Sequence, residues 1–253
     1  MRFLDLDLDA FLNEVAHFVE PDAGRLDDAE FTPWDEDRLR AFLEKQCGLS
    51  RNKPIDGWFV SQHDEAFDIM LTLVERGGRP LEVVHVDGHA DLGMGDQSWV
   101  DLIRRVALPL ENRRNPPRWN EGLNPGSWLA YAVTAELVGK IAYVYPVEGG
   151  DDLPPLYFRD CDTGSDQLVM KAFTRPGLPM MGTTLDYEML CNLQPDVSLR
   201  PVPFSRASLN DYMTDLSFDV GLLCHSPNFT PQTSDRLIPV IGEYINLKDW
   251  PKA

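Results

Sequence analysis

Basic charge is what this chain has least of for its size. Only 23 Lys and Arg stand against 41 Asp and Glu in 253 residues, a formal net charge of −18 at pH 7. That balance excludes nucleic acid and anionic membrane surfaces as partners. It would draw in cationic substrates, although acidic surfaces also serve solubility alone. Long apolar runs are absent too, so no stretch reads as a membrane span. The start of the chain, from Met1 to Asp9, is too acidic and too poor in apolar residues for a signal peptide, and the expected location is cytoplasmic. Cysteine is scarce: Cys47, Cys161, Cys191 and Cys224 are scattered with no CxxC pair. They read as reduced, mostly buried thiols. Internal repeats and low-complexity tracts are also missing, which excludes solenoid architectures.

What is present is a core. Apolar residues make up 43% of the chain and aromatics 10%, enough for one large α/β domain over 1–253. Strict Leu/Asp alternation over 4–9 has the period of a strand, with a short helix expected over 10–18. Helical spacing follows over 35–46, ended by Gly48, and again over 66–75, stopped at Gly77-Gly78. Strands are expected at 58–60, 81–87, 141–147 and 216–220. Further helices are expected at 98–108 and 128–138, the last capped by Ser127, with a surface loop over 112–125. The stretch 148–203 is rich in Pro and Gly without a clear period, and reads as an insertion or lid of short strands. Strands interleaved with helices imply a three-layer fold, a mainly parallel sheet with helices on both faces. In such sheets ligands bind at the carboxyl ends of the strands.

At one of those ends lies Leu81-Glu82-Val83-Val84-His85-Val86-Asp87-Gly88-His89-Ala90-Asp91. Residues two apart in a strand share a face, so Asp87, His89 and Asp91 would converge. Burying two carboxylates there is costly unless a cation compensates them. Mixed His and carboxylate ligands suit Mn²⁺, Zn²⁺ or Fe²⁺ better than Ca²⁺ or Mg²⁺. The bland alternative is a polar loop in which Asp91 caps a helix. His63, between a strand and a helix, supplies a second segment. The third has two versions: the carboxylates of Asp5, Asp7 and Asp9 on one face of the first strand, or Asp219 near the C-terminus. The pair Asp7 and Asp9 is preferred because it offers two carboxylates at the required spacing; Asp219 would then support a ligand or face the substrate. His85 lies two residues deeper than Asp87 and reads as a satisfied core histidine.

The Asp87-Gly88-His89-Ala90-Asp91 motif resembles the metal motif of the ureohydrolases, the arginase and agmatinase superfamily. Over 57–146 the chain is most similar to the branch that contains the peptide arginases. The matching pieces are Val60-Ser61-Gln62-His63-Asp64-Glu65, the strand ending in Asp91-Leu92, Ser127-Trp128-Leu129 and Tyr145-Pro146; Leu4 to Phe11 resembles that branch's Asp-rich strand. One departure stands out: arginases read Ser-Phe-Asp-x-Asp near the C-terminus, whereas Ser217-Phe218-Asp219-Val220-Gly221 has Gly where the second Asp falls.

The resemblance implies an arginase/deacetylase-like fold and a cytoplasmic enzyme of peptide maturation. It would convert arginine residues of a ribosomally made precursor peptide to ornithine and urea through a hydroxide held between two Mn²⁺ ions. Asp87 would bridge them, His63 and Asp91 would complete one site and His89 the other, with Asp7 and Asp9 closing the cluster. For the guanidinium, a carboxylate is needed whose two oxygens match its planar donors, with Glu65 foremost and Asp64 and Glu243 as alternatives. His225 is the candidate proton shuttle. Competing expectations are a ureohydrolase acting on a free small molecule, a deacylase with one Zn²⁺, and a metal-stabilised module that binds a basic leader peptide. Among the six Trp, Trp99, Trp119 and Trp128 could line a peptide groove, though core anchoring is the commoner role. Oligomeric assembly is left open.

Overall fold

The structure is a computed structural model that describes residues 1–20, 24–93, 98–118, 122–147, 149–150, 152–173 and 190–250. Its centre is an eight-stranded sheet, parallel except at one edge, as the alternation of strands and helices predicts. In chain order the strands are β1 (Arg2–Asp7), β2 (Ile55–Val60), β3 (Leu81–Val86), β4 (Val138–Tyr145), β5 (Gln167–Leu168), β6 (Lys171–Ala172), β7 (Val197–Ser198), β8 (Val202–Ser208), β9 (Val220–Cys224) and β10 (Ile245–Asp249). Across the main sheet the order is β10-β2-β9-β1-β3-β4-β8-β5, with β6 and β7 forming a separate antiparallel pair.

β1 is thus a central strand. Its partners are β3 on one side, where Leu6 faces Val86, and β9 on the other, where Asp7 faces Cys224. Alternation along it feeds two cores. Phe3 packs with Val83, Ile141 and Leu222, while Leu4 and Leu6 pack with Val84, Val144 and Leu223. Helices α2 (Glu65–Gly77), α3 (Ser98–Arg105) and α5 (Trp128–Thr134) cover the first face. The second is covered by α1 (Glu36–Ala41), which runs on as a wider turn to Gln46, and α6 (Leu237–Ile241). A short helix, α4 (Leu110–Arg113), opens the stretch expected to be all loop. Gly78 ends α2 in the left-handed region (φ 67°), its N–H donating to Val74 O at 2.7 Å, a conformation that favours glycine.

Several expectations need correction. Asp7 ends β1 and accepts a hydrogen bond from Asp9 N at 3.0 Å, turning 8–11 into a 3-10 helix; the expected strand to residue 9 and helix over 10–18 are replaced by this turn. The Asp87–Asp91 motif lies in the loop after β3, not on the strand, and Asp91 has a left-handed backbone (φ 50°). The strand expected at 216–220 begins at Val220 instead. Ser127 makes no side-chain cap on α5, because its hydroxyl accepts from Asn124 N at 3.2 Å. β8 and β10 carry no long periodic pattern and were not anticipated. Within 148–203, β5 extends the main sheet as its antiparallel edge and Leu156, Phe158 and Leu168 are fully buried; 174–189 lie outside the described residues. Among the described residues no helix is long and apolar enough to cross a membrane.

The cysteines also depart from expectation. Cys47 and Cys224 are buried free thiols, but Cys161 and Cys191 form a disulfide across a Cα–Cα distance of 5.9 Å, joined by the fold rather than by sequence proximity. Protein prepared without reductant should show two titratable thiols in denaturant and four after reduction. Reducing the bridge should lower stability by up to about 3.6 kcal/mol, the loop-closure entropy of a ring of this size, readable as a shift in the denaturation midpoint.

Candidate metal centre

Parallel strands side by side bring four loops to one sheet edge. Asp7 and Asp9 arrive from the end of β1, His63 from the turn between β2 and α2, Asp87 to Asp91 from the loop after β3, and Ser226 from the end of β9. Together with His17, Phe229, Asp152 and residues 125–126 they line one cavity. The carboxylates are almost sealed from solvent, with exposures of 2% for Asp7 and Asp9, 1% for Asp87 and 6% for Asp91.

Two groups of donor atoms can be traced. In the first, His63 Nδ1 lies 3.1 Å from Asp7 Oδ2, 3.0 Å from Asp87 Oδ2 and 3.0 Å from Asp91 Oδ2. One ring nitrogen cannot donate to three oxygens, and its other nitrogen is already engaged, with Nε2 3.0 Å from Asp5 Oδ1. In the second, His89 Nδ1 lies 3.0 Å from Asp9 Oδ2 and 3.6 Å from Asp87 Oδ1, while its Nε2 donates to Ala16 O at 3.0 Å. Asp87 therefore gives one carboxylate oxygen to each group. Protonation at Nε2, fixed by a carboxylate or carbonyl, leaves Nδ1 as a lone-pair donor, the usual support of a metal-ligating histidine.

The residues fit a cation. Asp87 Oδ2 is buried and accepts no hydrogen bond despite its short distance to His63, so its charge is not answered by any aligned donor. The donor set, two imidazoles and four carboxylates, suits a divalent transition ion better than Ca²⁺. His63, Asp87 and Asp91 form one group able to hold an ion, and Asp9, Asp87 and His89 another.

Neighbouring side chains hold the ligands still. Trp128, fully buried at the start of α5, donates from Nε1 to Asp91 Oδ2 at 2.6 Å and packs its ring 4.9 Å from that of His63. Ser226 donates its hydroxyl to Asp7 Oδ2 from a left-handed backbone (φ 44°). Gly88 donates from N to Asp9 Oδ1 at 3.0 Å, and a Cβ there would press on Val15 Cγ1 at 2.9 Å. His85, fully buried between Asp5 Oδ2 (2.7 Å) and His89 O (3.0 Å), is the satisfied core histidine the sequence implies.

Without an ion, protons stand in. Burial pulls the imidazole of His63 down, but the charge of Asp5 and its hydrogen bond raise it well above the ordinary value. His89 behaves likewise beside Asp9 and Asp87. Burial, then the charge of Asp87, raises Asp91 to about 6; burial with Asp7 and Asp87 lifts Asp9 well above the carboxylate range. Asp87 goes the other way: burial raises it, but the adjoining imidazoles of His63, His85 and His89 hold it below.

No family model matches this chain, and no curated protein does. The geometry has to speak alone.

It gathers all six expected ligands, Asp7, Asp9, His63, Asp87, His89 and Asp91, and leaves the rest out. Asp219 sits at the start of β9, accepting from Arg2 N at 2.6 Å, about five strand residues or roughly 16 Å from the level of Asp7. It is no ligand. Gly221 explains the motif's departure: it lies mid-sheet opposite Leu4, and a Cβ there would meet Ile245 Cδ1 at 2.9 Å, inside a core. Glu65 is spent on its own turn, accepting from Ser61 N at 3.2 Å and Gln62 N at 3.1 Å. Glu243 is paired with Arg40 at 2.7 Å, and Asp64 lies 3.8 Å from Arg118; neither lines the cavity. His225 lies close in sequence to Ser226, but its Nε2 is held by Asp235 at 2.8 Å, with Arg25 at 3.2 Å. Trp128 is a core anchor, Trp99 packs partly buried against the same core, and Trp119 lies outside the described residues.

Two residues were missed. Asp152 accepts from Ala90 N at 2.7 Å through Oδ2, while its Oδ1 is buried without a hydrogen bond at the cavity wall. His17 is exposed at the mouth, its ring 6.4 Å from that of His89. Neither lies in a periodic stretch, and no spacing rule would find them.

Stripped protein should gain thermal stability when a divalent cation is added. The gain should shrink from about pH 8 to about pH 6, because protons on His63, His89 and Asp91 must be displaced by the ion. Asp87→Ala should abolish the gain in melting experiments with and without chelator. Gly88→Ala should lower stability by about 1–3 kcal/mol through overpacking against Val15 and Asp9, and weaken metal binding measured by calorimetry.

Proposed function

We propose that this chain is a metal-dependent hydrolase that cleaves the guanidinium of arginine residues in a ribosomally made peptide, yielding ornithine and urea, with two Mn²⁺ per chain. The observation that carries the reading is the division of Asp87 between two ligand groups, the arrangement a two-ion hydrolytic site requires. Cations bound there would lower the pKa of a water and stabilise charge on the substrate.

The chain's own residues supply the rest. Asp152 offers a buried carboxylate oxygen to a planar cation, taking the role first given to Glu65. Trp128, Ser226 and Asp5 hold Asp91, Asp7 and His63 in register. In the net reaction water oxygen bonds to Cζ, the Cζ–Nε bond breaks, and Nε leaves as the amine of ornithine. His17 stands at the mouth to deliver a proton to that nitrogen. A peptide substrate is supported by the resemblance of 57–146 to peptide arginases, by the net charge of −18, and by exposed Phe18 (76%) next to His17. Retention of both ligand groups speaks against a one-zinc deacylase.

Incubating an arginine-containing precursor peptide with protein and Mn²⁺ should remove about 42 Da per processed arginine, a CN₂H₂ unit lost by guanidinium hydrolysis, as read by mass spectrometry. Asp9→Ala should lose this activity and Asp219→Ala should keep it. Asp152→Asn should lower kcat/KM by roughly ten- to a hundred-fold, the worth of a hydrogen bond to a charged group. If peptide, free arginine and agmatine all stay unchanged, the reading falls and acylated amines become the substrates to test.

A further inference from the structure

Beside the metal centre lies a second, open pocket of about 100 Å³, which the proposed reaction does not use. Its walls include Asn13, Val15, Trp34, Arg38, Val147 and Leu209. Val15 ties it to the centre, because the same side chain packs over Gly88 between Asp87 and His89. The two cavities therefore share a wall, and an extended chain leaving one could reach the other.

Arg38 decides the chemistry. Its guanidinium lies over the Trp34 ring, 3.6 Å from the centroid, and its Nη1 donates to Asn13 Oδ1 at 3.3 Å. Among the described residues it forms no ion pair. Asp35, three positions before it, spends its carboxylate on capping α1, accepting from Arg38 N at 2.8 Å. Arg25, Arg40, Arg105 and Arg118 are each paired with a carboxylate, whereas the side chains of Arg2 and Arg236, like that of Arg38, bond only to carbonyl, hydroxyl or amide oxygens. What sets Arg38 apart is its place: its guanidinium is exposed in the wall of this pocket with no carboxylate at ion-pair distance, although the charge of Asp35 acts on it, so an outside anion can reach it. Stacking on the indole fixes its plane and leaves in-plane donors for two-point binding of a carboxylate. Val147, 66% exposed at the rim, adds an apolar contact for a peptide, while Trp34 is a buried platform under Arg38.

We infer that this cavity is a recognition subsite for the carboxylate of an acidic residue that flanks the processed arginine in the substrate peptide. The inference rests on the peptide reading of the metal centre and narrows it: the preferred substrate carries both an arginine and a nearby Asp or Glu. It also answers how a strongly acidic protein would avoid binding every basic peptide alike. Asp152 would accept the guanidinium of any arginine that reaches it, whereas an acidic neighbour would be admitted only where Arg38 stands.

Binding can be measured without turnover. Fluorescently labelled peptides with one arginine, and Glu placed singly at each of the four positions on either side, would be titrated with the full chain in EDTA, next to their Gln counterparts. One or two Glu positions should bind about three- to five-fold more tightly than Gln, the worth of a partly exposed ion pair. That advantage should vanish in Arg38→Gln and shrink with added salt. No Glu advantage at any position, or one that survives in Arg38→Gln, overturns the subsite. Competition by N-acetylglutamate as strong as by the acidic peptide would also overturn it, assigning the cavity to a free carboxylic acid instead. The same peptides scored for mass loss with Mn²⁺ separate the two proposals. Mass loss without a Glu advantage sinks the subsite alone; a Glu advantage without mass loss sinks the hydrolase and leaves the carboxylate site standing.

Discussion

Five buried aspartates with nothing but histidines between them set the terms for this molecule. Asp5, Asp7, Asp9, Asp87 and Asp91 crowd the ends of two adjacent strands, each at most 6% exposed. Like charges so close, away from water, cannot all ionise unaided. Asp5 is neutralised structurally, its two oxygens lying 3.0 Å from His63 Nε2 and 2.7 Å from His85 Nδ1. For the other four the only nearby groups able to carry a full positive charge are the imidazoles of His63 and His89, whose Nε2 atoms are already committed; the remaining donors, Trp128, Ser226 and backbone N–H groups, are neutral. The shortage of positive charge is therefore local to the ligand atoms, where an ion relieves it, and the surrounding hydrogen bonds keep those atoms from relaxing apart. An ion bound there would find its ligand atoms already in place.

The topology makes this arrangement available. With β1 between β9 and β3, and β2 beyond β9, segments separated by dozens of residues end at one sheet edge. Both faces of β1 are buried, so a run such as Leu4-Asp5-Leu6-Asp7 would be a poor central strand in isolation. It is tolerated because the Leu side chains fill one core while Asp5 and Asp7, on the face of Phe3, are met by His63 from the loop after β2 and, for Asp5, by His85 of β3.

Much of this was legible from the chain and some of it was not, for physical reasons. The six residues that meet at the cavity could be picked out because their chemistry is concentrated: His and Asp at fixed spacing directly after apolar runs have few other reasons to sit there. The preference for Asp7 and Asp9 over Asp219 rested on spacing, and in the fold Asp7 and Asp9 join the cluster while Asp219 lies at the far end of β9, one residue before it starts. Glu65 and His225 were misjudged because proximity to a motif does not reveal where a side chain finds its partner; a backbone N–H and an Arg–Asp pair claimed them first. Asp152 and His17 come from irregular loops, whose position is set by tertiary packing rather than by a local period. The Cys161–Cys191 bridge was hidden for the same reason, since 30 residues of chain separate its ends.

The 3-10 turn after β1 is a small departure from a regular strand, yet the division of labour in the centre follows from it. On a continued strand Asp7 and Asp9 would point the same way about 7 Å apart, a row of charges along one line. Because the Asp7 carboxylate accepts from Asp9 N, the chain bends at that point, and Asp9 is delivered to Gly88 N and His89 while Asp7 stays with His63. The bend needs a neighbour that lets the carboxylate in, and Gly88 is that neighbour: any side chain there would meet both Asp9 and Val15. Asp87, immediately before the glycine, then lies between the two aspartates and can offer an oxygen to each group. One capping hydrogen bond and one missing Cβ thus turn a stripe of like charges into two separate ligand sets joined by a single carboxylate.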